Sequence, residues 1–361
     1  IGLCLVGSEM CIRDRIKDYD ESDHEMSPEE VEDIAEIFKT PLTGTYNWDY
    51  SIQDNRIAKL YELGKKLNWN VSMDIDWDRP MIVSDEIPPM FWDEYPPYKK
   101  LSQDKKREFL RHRGASQFSQ FLHGEQGALL VASQLVSCAP TYQAKLYAAS
   151  QAFDEARHVE AFTKYIQKRS KLMYPVGTGL KSLLDKILTD ERWDLKLIGM
   201  QIIIEGLALA AFNTAKAVTP DPVLRDILHL IIRDEARHVT FGVNYLEDFL
   251  ENLTNEEKED RAMFAYEACV ISKERLFPTD VFRKFGWDED EAREFSNKAG
   301  FATEFQRLLF SRVVPNLSRI GLLTDKVRPL YDKLGVLEFE SLSPDGDISW
   351  AELEKPLDVT A

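Results

Sequence analysis

Between residues 101 and 250, apolar residues recur at spacings of three and four with few breakers. That period puts them on one face of a helix, so the region predicts long amphipathic helices. A shorter stretch, RIAKLYELGKKL (56–67), has the same spacing. Beyond 250, EEKEDRAMFAYEACVISKERLF and DEDEAREFSNKAGFATEFQRLLFSRVV predict two more helices. Residues 16–100 read differently: acidic at first, then crowded with Trp48, Trp69, Trp77, Trp92 and the prolines of IPPMFWDEYPPY. Proline at that density forbids long helices. Strand and helix patterns do not alternate, so the expected fold class is all-α.

The helical region contains an internal repeat. DEARHV stands at 154–159 and again at 234–239, an offset of 80 residues. Glu125 and Glu205 keep the same offset, each inside an apolar helical stretch. So do Tyr165 and Tyr245, and so do Pro140 and Pro220, each of which marks a turn. Two copies of a helical hairpin predict a four-helix bundle. Pro140 lies fifteen residues after Glu125 and fifteen before Glu155, so the chain goes out to the turn and returns to the same level. At ~1.5 Å rise per residue each leg is roughly 22 Å.

Within each DEARH the Glu and His are three residues apart, on one helix face. Each hairpin therefore offers two Glu and one His: Glu125, Glu155 and His158 from the first, Glu205, Glu235 and His238 from the second. Four carboxylates on apolar helices repel one another and resist desolvation, and two divalent cations would offset both costs. Mixed oxygen and imidazole donors suit iron or manganese, whereas a closed zinc site would favour thiolates. Asp154, Asp234, Arg157 and Arg237 admit two readings. They are solvated i,i+3 pairs, or each Asp accepts the spare imidazole N–H and an Arg holds the Asp; their repetition favours the second. Tyr165 and Tyr245, seven residues beyond each His, read as hydrogen-bonded core tyrosines ahead of redox relays. His24, His112, His123 and His229 have no repeat partner and are not expected to be ligands.

One departure from the repeat draws attention. Four residues after His158 stands Phe162, but four after His238 stands Gly242. A helical glycine costs about 1 kcal/mol relative to alanine and needs a packing or access reason. The expectation is an apolar substrate or O2 pocket beside Gly242, walled by Phe121, Gln201 and Phe162. Close helix–helix contact is the competing account.

Composition adds limits. With 44% hydrophobic and 30% charged residues the chain can bury a sizeable core. A net charge of −17 argues against nucleic acid. No apolar run approaches the ~20 residues needed to span a bilayer. Residues 1–15, IGLCLVGSEMCIRDR, resemble a translated sequencing adapter, a disordered tail being the alternative, and are set aside with Cys4 and Cys11. The remaining Cys138 and Cys269 make neither a disulfide framework nor a thiolate site, which points to a reducing cytoplasm. The expected organisation is 16–100 as a region packing on the bundle, 101–250 as the bundle, and 251–361 as a helical extension.

The two Glu-x-x-His copies, each preceded by a helix with one inward Glu, resemble the ferritin-like non-haem di-iron carboxylate superfamily over about 110–250. Ribonucleotide reductase small subunits, bacterial multicomponent monooxygenases, N-oxygenases and ferritins belong to it. The resemblance implies two Fe ions (Fe–Fe, with Mn–Fe as the variant) on the six residues above. It also implies Asp–His pairs that cross between hairpins, Asp154 to His238 and Asp234 to His158. An iron store is disfavoured by the long flanks, and rubrerythrin-like electron transfer by the missing four-cysteine site. The radical tyrosine of ribonucleotide reductase is replaced by Phe162. The extra histidine of the p-aminobenzoate N-oxygenase type, four residues before the last Glu, is replaced by Ile231. The reading that remains is an O2-dependent oxygenase or oxidase. It would hydroxylate, N-oxygenate or desaturate a small organic substrate, with an electron donor (a reductase or ferredoxin) and a homodimeric state expected. A radical protein like the reductase subunit and a ferroxidase are the alternatives.

Overall fold

Two turns, each built from a proline followed by a helix-capping side chain, organise the molecule. The computed structural model describes residues 17–18, 35–40, 42–52, 54–81, 91–274, 277–298 and 300–345; the tract 1–15 and His24 lie outside them. Helix α1 (Asn55–Lys66) starts at Asp54, whose carboxylate accepts the Arg56 N–H. Helix α2 (Gln103–Cys138) starts at Ser102, whose hydroxyl accepts the Lys105 N–H. The chain turns at Pro140, and Thr141 caps α3 (Tyr142–Tyr165) by accepting the Ala144 N–H. Such caps satisfy N–H groups that the first helical turn leaves without partners.

Helix α4 (Thr178–Thr189) connects to the second hairpin. There α5 (Trp193–Val218) runs to the turn at Pro220, and α6 (Pro222–Glu251) begins at Asp221, whose side chain accepts the Val223 N–H. Inside α5, residues Ile198–Ile204 widen into a π-helical stretch that ends on Glu205, whose N–H bonds back to Met200 O. The matching part of α2 is ordinary α-helix.

The hairpins are related as an inverted pair. Tyr165, at the open end of the first, lies near Asp221 at the turn of the second, and burial together with that carboxylate pushes its phenol up. Tyr245, near the open end of the second, bonds Thr141 at the turn of the first, with 2.9 Å between hydroxyls. Each turn thus sits beside the other hairpin's open end, and the ligand levels coincide at mid-bundle.

Apolar side chains fill the bundle on both sides of that level. Phe162, Phe212, Ile227, Leu228 and Ile231 pack together at one end, and Tyr147, Phe241 and Ile202–Ile204 belong to the larger core at the other. The connecting region brings Trp69 from beyond α1 against the bundle, 4% exposed. Downstream, α7 (Asn255–Glu274), α8 (Thr279–Lys284), α9 (Glu289–Lys298), α10 (Phe301–Arg319) and α11 (Arg328–Lys333) pack outside.

Two expectations are corrected. Residues 288–314 form two helices, because Gly300 adopts φ +74° and begins a new one. L-residues rarely take that conformation and glycine does so at no steric cost. Helix α5 is long and apolar enough by composition to cross a membrane, contrary to the expectation that no such run exists, yet it lies almost wholly inside the bundle. Its glutamate is turned inward and its apolar faces meet neighbouring helices on all sides, as in a central core helix.

Candidate metal centre

Glu125 on α2, Glu155 and His158 on α3, Glu205 on α5, and Glu235 and His238 on α6 come together at mid-bundle. None exceeds 5% exposure. They form two groups of converging donor atoms, Glu125–Glu155–His158–Glu235 and Glu155–Glu205–His238, each spanning no more than 4.8 Å. His158 Nδ1 lies 3.2 Å from Glu125 Oε2, 3.2 Å from Glu155 Oε2 and 3.1 Å from Glu235 Oε1. His238 Nδ1 lies 3.1 Å from Glu155 Oε1 and 3.7 Å from Glu235 Oε1. Glu155 belongs to both groups, and Glu235 faces both imidazoles.

The electrostatics of this cluster call for positive charge. Burial, then the neighbouring Glu235, pushes the carboxyls of Glu125 and Glu205 well above the usual range. Burial works against charge on both imidazoles, but surrounding carboxylates outweigh it and raise them. Asp234 and Glu125 act on His158, and Glu155 and Asp154 on His238. Glu155 is held low against its own burial, chiefly by His238. Glu155 Oε2, Glu205 Oε2, both oxygens of Glu235 and His238 Nδ1 are buried with no hydrogen-bond partner. Buried lone pairs without partners are costly, and two divalent cations among them satisfy both lone pairs and charge. The residues present fit a dinuclear metal group.

Behind the imidazoles each Asp reaches the His of the other hairpin. His158 Nε2 is 3.2 Å from Asp234 Oδ2, and His238 Nε2 is 3.1 Å from Asp154 Oδ2. Each imidazole thus keeps Nδ1 toward the carboxylates while the Asp fixes Nε2 and ring orientation. Arg237 reaches both Asp154 and Asp234 at 2.8 Å; Arg157 pairs with Asp154 and lies 3.2 Å from Asp234. All four are buried, so the solvated-pair reading falls. Burial opposes charge on Asp234, yet Arg237 and His158 hold its carboxyl well below the ordinary range.

Three partners escaped sequence reasoning. Trp69 donates its indole N–H to Asp234 Oδ2 at 2.7 Å, beneath the Arg157 guanidinium. It is one of several tryptophans in an unpatterned region, and no spacing marks it. Gln151 Nε2 donates to Glu205 Oε1 at 2.9 Å and to Glu155 Oε1 at 3.2 Å. Its position four residues before Glu155, on the same helix face, was the available signal. Tyr147, one turn earlier, is buried, with its hydroxyl unpartnered.

Other expectations are redrawn. Tyr245 bonds the helix-capping Thr141 and Tyr165 lies near the helix-capping Asp221, which favours the structural over the redox role. His112, His123 and His229 bond Tyr174 OH, Tyr174 O and Lys216 and stand apart from the cluster. Gly242 itself opens no space to the metals. A Cβ there would lie 2.7 Å from Gln201 Cβ and 3.3 Å from Ile202 Cδ1, so the glycine admits a close neighbour. Phe121 and Phe162 do not wall the same space. They pack with Phe212, at 4.8 and 5.9 Å between ring centroids, at the opposite end. The physical reason is the inversion: positions equivalent in the repeat face opposite ends.

A family model described as "P-aminobenzoate N-oxygenase AurF" matches residues 52–321. The chain belongs to the AurF family. Members hold a di-iron cofactor, and this AurF-family chain is a di-iron, O2-dependent oxidoreductase. It lacks one expected feature of that type, since Ile231, fully buried, stands four residues before Glu235. Among solved structures, dimanganese(II)-NrdF of Streptococcus sanguinis is similar at 15% identity and TM-score 0.50, over 77% of this chain and 92% of that one. An R2-like ligand-binding oxidase from Sulfolobus acidocaldarius is similar at 21% identity and TM-score 0.44, over 76% and 91%. The first likeness supports the ferritin-like helical fold. No curated protein matches the chain by sequence.

Proposed function

We propose that this chain is an N-oxygenase of small aromatic amines, with its two irons held by Glu125, Glu155, His158, Glu205, Glu235 and His238. The observation that carries the ligand assignment is the convergence of six buried donors, several with no protein partner. The substrate class rests on membership of a family described by p-aminobenzoate N-oxygenation. Glu125 with His158 would hold one metal and Glu205 with His238 the other, with Glu155 and Glu235 shared between them. Ile231 leaves the set at six.

Two irons bound here would supply O2 binding and reduction, the chemistry that side chains cannot perform. The chain's own residues do the rest. Asp154 and Asp234 hold the imidazole Nε2 atoms, and Arg157 and Arg237 pair with those aspartates from behind. The apolar layer of Phe121, Phe162, Phe212 and Ile231 excludes water from one end. Conversion of an amine to a hydroxylamine consumes O2, two electrons and two protons and releases water, so an external electron donor completes the cycle. A reducing cytoplasm fits the two buried thiols, Cys138 and Cys269. A homodimer remains part of the proposal.

Anaerobic reconstitution with Fe(II), O2 exposure and Mössbauer spectroscopy, with product analysis on a panel of aromatic amines and alkyl arenes, tests this. Two irons per chain and oxygen on nitrogen are expected. Oxidation of carbon alone, or no antiferromagnetically coupled iron pair, rejects it.

A further inference from the structure

At the Gly242 end of the cluster three polar side chains are buried with unmet hydrogen-bonding capacity. Gln201 is fully buried, and neither its Oε1 nor its Nε2 has a partner. Gln151 spends its Nε2 on Glu205 and Glu155, and its Oε1 is left over. The Tyr147 hydroxyl is likewise buried and unpartnered. Most buried polar side chains find a partner, so three such groups within one neighbourhood need an explanation.

Helix register places them together. Gln151 precedes Glu155 by four residues on one α-helical face, and Gln201 stands just short of one π-helical turn before Glu205. Gln201 Cβ presses on Gly242, which follows His238 by four residues. The Tyr147 ring lies 4.3 Å from that of Phe241, the neighbour of Gly242. The π-helical stretch Ile198–Ile204 contains Gln201, and extra residues of this kind inside helices recur at functional sites. The equivalents elsewhere in the repeat are Phe121 for Gln201, Ile231 for Gln151 and Ile227 for Tyr147, all apolar. The duplication has thus placed polar groups at one end only.

We propose that this end recognises the amine of the substrate. Two carbonyl oxygens, Gln151 Oε1 and Gln201 Oε1, would accept the two N–H bonds of a primary amine. Tyr147 O–H or Gln201 Nε2 would donate to its lone pair. A group that is at once donor and acceptor matches this set on both counts, whereas a carboxylate would leave the two carbonyl oxygens without a donor and an alkyl group would satisfy none of them. The inference rests on the aromatic-amine reading above and adds which residues select the nitrogen. Gln201 is a specificity-determining residue, and Gly242 is glycine because the Gln201 side chain occupies the space a Cβ would need.

The test uses iron-loaded protein kept anaerobic, titrated calorimetrically with p-aminobenzoate and with p-methylbenzoate, which replaces the amine by a methyl of similar size. Wild type is expected to prefer the amine by roughly 10-fold or more, since a buried partner left unpaired carries that penalty. Q201M, with iron content and fold checked, is expected to lose most of that preference, and Y147F part of it. F162L, at the apolar end, is expected to leave the ratio between the two ligands unchanged. If Q201M does not fold, Q201E is measured, and a changed ratio between the two ligands is expected there. An unchanged ratio in whichever Gln201 variant folds overturns the proposal while the aromatic-amine reading stands. A wild type that neither prefers the amine nor oxidises any aromatic amine on O2 exposure overturns that reading itself, and this inference with it.

Discussion

At one end of the carboxylate cluster Phe121, Phe162, Phe212 and Ile231 close over the metal level; at the other, Tyr147, Gln151 and Gln201 crowd beside Gly242. Both ends come from the same repeated hairpin and carry the same ligand types, yet one is made of rings and branched alkyls and the other of amides and a phenol. The comparison separates two demands on the repeat. Holding two cations is served by symmetry, because one Glu-x-x-His falls to each metal. Acting on one substrate requires asymmetry, because a small molecule has unlike ends. The ligands and their Asp and Arg supports follow the first demand, and positions one turn away follow the second.

The largest expected effect breaks the symmetric part. Glu155 belongs to both donor groups, whereas Glu125 belongs to one. Glu155→Ala is therefore expected to lose both irons by elemental analysis and Glu125→Ala only one. Equal occupancy in the two variants would show that no carboxylate is shared. Next come the aspartates. Asp234→Asn and Asp154→Asn should keep the fold and weaken metal binding by roughly 10–100-fold. The larger loss is expected at Asp234, which accepts from Trp69 in addition to the two arginines that both aspartates share. Competition with a chelator measures both.

The asymmetric end is sharpened by Gly242→Ala. An open channel would tolerate the methyl, but with Gln201 Cβ at 2.7 Å the change is expected to destabilise by about 1–3 kcal/mol. Denaturant unfolding of the metal-free protein reads this, and a stabilised variant would restore the channel. The smallest effects belong to the turn contacts. Tyr165→Phe and Tyr245→Phe should each cost about 1 kcal/mol and leave the Mössbauer spectrum unchanged. A changed iron spectrum in either would return these tyrosines to a redox role.

What could be read in the sequence was what repeats or keeps a helical period. The offset of 80 residues between DEARHV copies, with Glu125 and Glu205 in step, marked the bundle and six candidate ligands. The Asp–His crossing followed from resemblance alone. Hidden features depend on how elements sit against one another. A repeat does not state whether its copies run side by side or inverted, so Phe121 and Gln201 were assigned one wall when they lie at opposite ends. The widening of α5 leaves no mark in an apolar run such as IGMQIII. Trp69 acts across 165 residues of sequence, and no local pattern predicts that contact. The break at Gly300 was present in the letters, but amphipathic spacing on both sides masked it.

Inverted halves have the symmetry of a dimer. One hairpin facing a second copy of itself would bring the same donors together, since Glu125, Glu155 and His158 supply half of each kind. In such an assembly every substitution is made twice, once at each end, and no choice of residue can render the ends different. Joining the copies in one chain removes that restriction: position 121 can be phenylalanine while position 201 is glutamine, and position 162 can be phenylalanine while position 242 is glycine. Covalent fusion, more than any single residue, is what lets a centre of paired ligands tell one side of a molecule from the other.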